Sequence, residues 1–531
     1  MKRILRKRNW NLFCGVVVIG VFVILYFLGF RITYAPELEN SWSAISAFAS
    51  GAGAFASAFA VFVAIRIPKV IADRQDKIAL FEKRFAFYDA MSKLENKSIR
   101  RTVVLTGTRR VGKTTIQYQM IDELLKKGVH PKKIVFVSLD HPMLKLSAFE
   151  DILECYHENI YPDNDVYYFF DEIQYATDWD KWLKTIYDMN PETNIVATGS
   201  ASPALMKGST ESGAGRWSVI SVPTLSFYEY CELIGVRKPD FDKKLKITSF
   251  LNMERREQTD VMMKLSDIQK HFNRYLQVGG FPELALSDND VIAQQVMRED
   301  VVDKVLKRDL PSLYNIRNST ELERIFLYLC NVSSEIVSIE SLSKELNGVS
   351  RPTVENYIRY LESANLIYQS WPIDMAGKKI LKAKPKIYVA DAAIRNAVLM
   401  DDDMLTNPTE MGKIVETAVY KHIAAFYYQK STSVGYYRGG RKDKEIDIVV
   451  EYPNTNNLLI EVKYRDSAPI PDDSAICELC SKASAAIIVT KMSDDYGIHN
   501  APDGSKMVRI PAYAFLYLLG HAEKNGFNAI Y

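Results

Sequence analysis

Residues 107–115 read Gly-Thr-Arg-Arg-Val-Gly-Lys-Thr-Thr, follow an apolar run at 102–105 and open a segment with helical character. A strand, a glycine-bounded loop and a helix in that order form a phosphate-cradling unit, and it needs a parallel sheet to hold it. Gly107 and Gly112 let the backbone turn tightly, so that successive N–H groups and the helix N-terminus face the β- and γ-phosphates. Lys113 adds a point charge and Thr114 offers a hydroxyl to Mg²⁺, while Arg110 and Thr115 complete the expected nucleotide-contacting set.

A second segment, residues 166–172, is an apolar and aromatic run that ends in Asp171 and Glu172. A buried parallel strand presents such carboxylates at its C-terminal end, where nucleotides bind. Asp171 is expected to hold Mg²⁺ through water and Glu172 to polarise the attacking water, the pattern of an ATP-hydrolysing site. Two further runs, 134–139 and 194–197, complete a doubly wound sheet. The second leads into Thr198-Gly199-Ser200, where Thr198, Ser200 or Ser202 either senses the γ-phosphate or simply forms a polar turn. Arg216 stands in a Gly- and Ser-rich stretch as a candidate arginine finger, in cis or toward a neighbouring subunit.

These segments, with Phe170-Asp171-Glu172-Ile173-Gln174, Asp178-Trp179, Thr198-Gly199-Ser200, Gly215-Arg216 and residues 223–229 (Pro-Thr-Leu-Ser-Phe-Tyr-Glu), resemble a widespread family of bacterial and archaeal AAA-type ATPases. The resemblance covers roughly residues 80–531. It implies ATP and Mg²⁺ as cofactors and a C-terminal region similar to a restriction-endonuclease fold, whose marks are Gly279-Gly280-Phe281-Pro282-Glu283, Arg308-Asp309 and Ile510-Pro511-Ala512. Thr108 stands where the family often has Pro or Ala, at a position expected to contribute backbone alone.

At 531 residues the chain exceeds what one core usually serves. The expected fold class is α/β, a P-loop AAA-type ATPase domain with a winged-helix unit and a restriction-endonuclease-like domain, preceded by two transmembrane helices. The domains are placed at 1–68 (transmembrane hairpin), 69–235 (ATPase), 236–319 (helical connector), 320–375 (winged-helix-like unit) and 376–531 (nuclease-like domain). A balance of 67 basic against 65 acidic residues does not mark a dedicated polyanion-binding chain. Six scattered cysteines argue against a disulfide framework, and Cys477-x-x-Cys480 lacks the second ligand pair of a zinc site.

Residues 9–30 carry no charge, and 12–30 are rich in Val, Ile, Leu and Phe, enough for a hydrocarbon layer of about 30 Å. Residues 40–65 are uncharged again and rich in Ala, Ser, Gly and Phe, with Ala49, Gly53, Ser57 and either Ala60 or Val61 spaced for close helix contact. Basic residues flank both runs on the outside, so both termini and the catalytic domains are expected in the cytoplasm, at the inner membrane, with the lipid bilayer as a partner.

Residues 320–373 suit a winged helix-turn-helix, with a short helix at 341–346, a turn at 347–349 and a second helix at 350–366 that has Ser350 as a cap and Pro352 in the first turn, from which Arg351, Thr353, Asn356 and Arg359 would face a DNA groove or a protein partner. Farther on, Glu416 falls in a helical segment, Asp447 on a strand at 445–450, and Glu461 and Lys463 on a strand at 458–463 followed by a helix and another strand. That order of elements resembles the PD-(D/E)XK nuclease superfamily. Alternation puts Glu461 and Lys463 on one strand face. The resemblance makes Glu416, Asp447 and Glu461 metal ligands and Lys463 the cation of a phosphodiester-cleaving site. Glu445 is an additional ligand or an edge charge.

The combined expectation is a membrane-anchored ATPase whose nucleotide state gates a metal-dependent nuclease, with nucleic acid as substrate, a homo-oligomeric or protein partner, and defence against foreign DNA as a role. The competing reading is an ATP-driven membrane switch or DNA-binding regulator with a non-catalytic nuclease fold.

Overall fold

The computed structural model describes residues 82–96, 98–141, 149–199, 215–346, 349–373, 384–400, 405–427, 433–439, 444–452 and 456–526. All lie in one compact unit, Ala60–Tyr531. The first sheet has the order β2-β3-β4-β1-β5, from β1 (Thr102–Thr106), β2 (Ile134–Ser138), β3 (Tyr167–Asp171), β4 (Asn194–Gly199) and β5 (Trp217–Ser221). All its pairings are parallel, and β1 is buried at every position because helices cover both faces. Helix α1 (Phe85–Leu94) packs on this sheet, and α2 (Lys113–Lys126) starts at the phosphate loop.

The second sheet runs β13-β14-β12-β11-β10-β9-β7-β8-β6. It draws on β6 (Glu335–Ile336), β7 (Ile367–Pro372), β8 (Lys386–Val389), β9 (Ser433–Arg438), β10 (Glu445–Glu451), β11 (Leu458–Lys463), β12 (Ala485–Thr490), β13 (Gly497–Asn500) and β14 (Lys506–Pro511). Helix α3 (Arg351–Ser363), capped by Ser350, lies where the second helix of the expected helix-turn-helix was placed. Its following strand β7 pairs antiparallel with β8 and parallel with β9. The strand after α3 therefore belongs to the C-terminal sheet, and the boundary expected at 375 falls inside one hydrogen-bonded layer. Helices α4 (Pro408–Tyr427) and α5 (Ala512–Lys524) pack against each other in the main core, which both sheets share.

The two expected transmembrane helices, within residues 1–68, lie outside the described residues. Among the described residues no helix is long and apolar enough to cross a membrane. The apolar α5 has 13 residues and rises only about 20 Å, while the longer α4 carries Glu410, Lys413, Glu416 and Lys421. The fold class is corrected accordingly to an α/β P-loop architecture. The inner-membrane placement and the lipid partner find no support in it.

A buried polar junction ties the layers together. The Lys421 ammonium on α4 donates to the Leu225 carbonyl (2.8 Å), the Tyr275 hydroxyl (2.8 Å) and Asp391 Oδ2 (3.1 Å). Asp391 also accepts from the Thr224 hydroxyl (2.7 Å) and the Gly280 N–H (3.1 Å). Burial raises the Asp391 carboxyl, but Lys421, Thr224 and the Ala393 N–H together hold it below the usual range. Gly280 is required: a Cβ there would meet Leu225 O at 2.4 Å and N at 2.6 Å. Gly279 has φ 73°, and its Cβ would strike Asp391 Oδ1 at 2.2 Å. The neighbouring His422 is pushed down to about 3 by burial and by Lys421. It stays neutral, accepting from the Phe227 N–H (2.8 Å).

Replacing Lys421 by Met strands an unpaired carboxylate in the core. Stability should fall by about 3–5 kcal/mol, read as the midpoint of urea unfolding, and the Lys421→Met, Asp391→Asn double variant should recover part of the loss.

Candidate functional site

The phosphate loop leaves β1 at Gly107, whose Cβ would lie 2.3 Å from Val222 O, so only glycine fits. Arg110 and Gly112 turn the loop with φ of 63° and 92°, in the left-handed region. Lys113 is buried and donates to the Gly107 (2.9 Å) and Thr108 (3.0 Å) carbonyls. Burial lowers its pKa, opposed by Glu172 and Asp171.

The Thr114 hydroxyl lies 3.0 Å from Asp171 Oδ2. Strand β4 stands between β1 and β3, which lets the Thr198 hydroxyl donate to Asp171 Oδ1 (2.5 Å) while accepting from the Glu172 N–H (3.0 Å). Burial pushes the Asp171 carboxyl up to about 6, against the pull of Thr198, Thr114 and Lys113 and with a contribution from Glu172. A hydroxyl and a carboxylate side by side, with nothing cationic between them, suit Mg²⁺: Thr114 and Asp171 are the residues that would hold it. Bound there, the ion would neutralise charge on the phosphates. Glu172, at φ 54°, follows the last residue of β3, and its carboxylate accepts from the Gln174 side-chain amide.

Ser200 and Ser202 fall outside the described residues. Arg216 immediately precedes β5, where Thr102 pairs with Trp217, and its guanidinium bonds Asp188 (2.8 Å). It therefore sits at the N-terminal edge of the sheet, about 16 Å of strand away from the phosphate loop. This corrects the cis finger expected there, because the parallel register sends Arg216 and the loop to opposite edges.

Thr108 does more than supply backbone. Its buried hydroxyl reaches the Ala364 (3.0 Å) and Asn365 (2.9 Å) carbonyls after α3. Arg109 grips Asp309 through Nε (2.5 Å) and Nη2 (2.8 Å), and Tyr175 through Nη2 (2.8 Å). Arg110 pairs with Glu283 and Asp300. Behind the loop, Arg84 bonds Glu229 (2.9 Å) and the Val111 (2.8 Å) and Pro223 (2.9 Å) carbonyls.

In the C-terminal layer Glu416, Asp447, Glu461 and Lys463 face one another, but around a residue the sequence reading missed. Lys386 Nζ lies 2.8 Å from Glu416, 3.0 Å from Glu445 and 3.2 Å from Asp447. Burial works against its charge, yet Tyr388 and these carboxylates hold its pKa well above the ordinary value. Tyr388 donates to Glu416 (2.8 Å). Period-two alternation on β8 puts Lys386 and Tyr388 on one face, a signal present in the sequence. Glu416 is raised to about 7, by burial and then by Asp447. Glu461 is raised by burial and Asp447, pairs with Lys463 through one oxygen and has no hydrogen-bond partner on the other. The Asp447 carboxylate accepts from the Val462 N–H (2.9 Å). Among the described residues no three His, Cys, Asp or Glu side chains are arranged to hold a metal ion. The ammonium of Lys386 fills the gap between three carboxylates, so this donor set does not fit Mg²⁺, and Glu416, Asp447 and Glu461 are corrected as its ligands. Cys477 and Cys480 are free and buried under the sheet.

Residues 99–231 match a family model described as an AAA domain, and residues 269–405 and 411–513 match two models described as domains of unknown function. An uncharacterized protein of Methanocaldococcus jannaschii is 27% identical over 365 residues, covering 68% of this chain and 74% of the relative. One of Mycobacterium tuberculosis is 25% identical over 444 residues, covering 82% and 84%. The Walker-type ATPase of Pyrococcus abyssi aligns with 60% of this chain and 96% of its own at 12% identity and a TM-score of 0.39, too loose for any conclusion. The AAA domain and the site geometry make the chain a P-loop ATPase that uses ATP and Mg²⁺.

Lys113→Ala should abolish ATP binding in a calorimetric titration. Glu172→Gln should keep binding but lower turnover by about 10²–10⁴-fold, so that ATP rather than ADP is recovered from the protein.

Proposed function

We propose that this ATPase is a nucleotide-driven switch, in which the state of the phosphate loop sets the position of the winged-helix and C-terminal elements and thereby their grip on nucleic acid. The observation that carries this reading is the run Thr108, Arg109 and Arg110. Three consecutive loop residues bond Asn365, Asp309 and Glu283, all beyond the AAA domain. A γ-phosphate arriving at the loop competes for the same guanidinium groups, so loading and release change the bonds that tie the loop to Asp309 and Glu283.

The nucleic-acid partner is supported by the nuclease-like order of elements and by the exposed face of α3. On that face Arg351 is tied to Glu340 and Glu355 and Arg359 to Asn356, so those ties must yield on docking. Oligomeric assembly, with Arg216 offered to a neighbour, and a role in defence against foreign DNA belong to the same reading. Cleavage by the C-terminal layer is a second reading, favoured by the convergence of Glu416, Asp447, Glu461 and Lys463 and by the unpartnered Glu461 oxygen. It is opposed by Lys386, whose ammonium stands among Glu416, Glu445 and Asp447.

Fluorescence anisotropy with labelled DNA and RNA tests both. Affinity should differ between ATP and ADP by about 5–150-fold, and Asp309→Asn should erase that difference while ATP turnover persists. Absence of nucleic-acid binding in every nucleotide state overturns the partner. Mg²⁺-dependent cutting lost in Asp447→Ala would establish the second reading instead.

A further inference from the structure

The turn that carries Glu172 away from β3 has attachments of its own. Glu172 is followed by one 3-10 turn, Ile173–Tyr175, anchored by the buried Ile173 and closed by the Tyr175 N–H on the Glu172 carbonyl (3.1 Å). Two side chains of this turn bond back to the site. The Gln174 amide donates to the Glu172 carboxylate, and the Tyr175 hydroxyl accepts from Arg109 Nη2 (2.8 Å). Arg109 belongs to the phosphate loop, and its Nη2 also donates to Asp309 Oδ1 (2.8 Å). A continuous chain of bonds thus runs from Asp309, beyond the AAA domain at 99–231, to the turn that holds the hydrolytic carboxylate.

We infer that Gln174 and Tyr175 are positioning residues that keep Glu172 parked until the γ-phosphate draws Arg109 away from the turn. A general base needs a free oxygen within about 2.6–3.2 Å of the water it polarises, and the Gln174 amide engages one of the two that Glu172 has. What keeps Gln174 there is the turn on which it stands, and the outer tie of that turn is the bond between Tyr175 and Arg109.

That bond is the weak member of the chain. A neutral phenol oxygen competes for a guanidinium less well than a carboxylate or a phosphate does. An arriving γ-phosphate therefore takes Nη2 from Tyr175 before it loosens the two bonds to Asp309. The turn is then free to shift, Gln174 moves with it, and the Glu172 oxygen is released to water. A loop that is empty or holds ADP leaves Arg109 on Tyr175, and Glu172 stays engaged. The arrangement rests on the ATPase activity alone and holds whether or not nucleic acid binds.

Steady-state ATP hydrolysis by the full chain tests this. Gln174→Leu and Tyr175→Phe should each raise kcat by about tenfold, roughly the worth of one hydrogen bond, with the KM for ATP unchanged. The double variant should do no more than either alone, because both release the same carboxylate. In a Glu172→Gln background neither substitution should alter the residual rate. A fall in kcat, an unchanged kcat, a change confined to KM, additive effects, or the same gain without Glu172 overturns the inference. Because the variants can fold poorly, hydrogen exchange is also followed on the unaltered chain. Amides of residues 172–175 should exchange faster with a non-hydrolysable ATP analogue than with ADP, and equal or slower exchange overturns it.

Discussion

The contact between Lys421 and Asp391 is the one the rest of the molecule depends on. Both groups are almost wholly buried, and neither is tolerable there alone. Each is satisfied only if Thr224, Leu225, Tyr275 and Gly280 arrive together. Thr224 and Leu225 follow the last strand of the ATPase sheet, Tyr275 and Gly280 come from the connecting helices, and Lys421 from the C-terminal layer. Hydrophobic contact alone would let these layers slide, because apolar packing is non-directional. Hydrogen bonds at a buried charge fix their register. The site inherits this rigidity, since Pro223 and Glu229, beside the junction, hold Arg84, and Arg84 holds the Val111 carbonyl of the phosphate loop.

Around that fixed centre the loop's other attachments differ in kind. Arg84 and Glu229 are buried, and the capping box of Ser226 and Glu229 satisfies their surroundings. Arg110, Glu283 and Asp300 are more exposed, so solvent screens their attraction and little is lost when they part. Arg109 and Asp309 stand between these limits. Two parallel bonds hold them, close enough to Glu172 for its charge to be felt. A loop anchored firmly on one side and weakly on the other moves on the weak side.

The parts legible in the sequence were those whose chemistry is local. The loop at 107–115 and the carboxylates after β3 are contiguous motifs, and Glu461 and Lys463 share a face of β11 because alternation requires it. What was hidden depends on pairings distant in the chain. Nothing near Arg216 says that β5 runs parallel beside β1, which sends that side chain to the far edge. Thr108 looked like a backbone position because the residues that accept its hydroxyl lie 256 and 257 positions later. Asp391 has the plain local signature of a helix cap, bonding the Ala393 N–H, and its bond to Lys421 became visible only when α4 was placed against it.

Lys386 is the instructive omission. Reading carboxylates on neighbouring strands as metal ligands assumes that their charge is otherwise unmet, and that assumption concerns every residue near them. Strand β8 enters the same sheet with two strands between it and β10, bringing an ammonium within 3.2 Å of three of the acids. Removing that ammonium from its partners would leave several carboxylates buried together. The same acids that would attract a divalent ion are thus the ones that retain the lysine. Whether such a layer cuts, binds or only holds shape is decided by that competition between two cations for one set of oxygens, and in this structure the protein's own cation occupies the place.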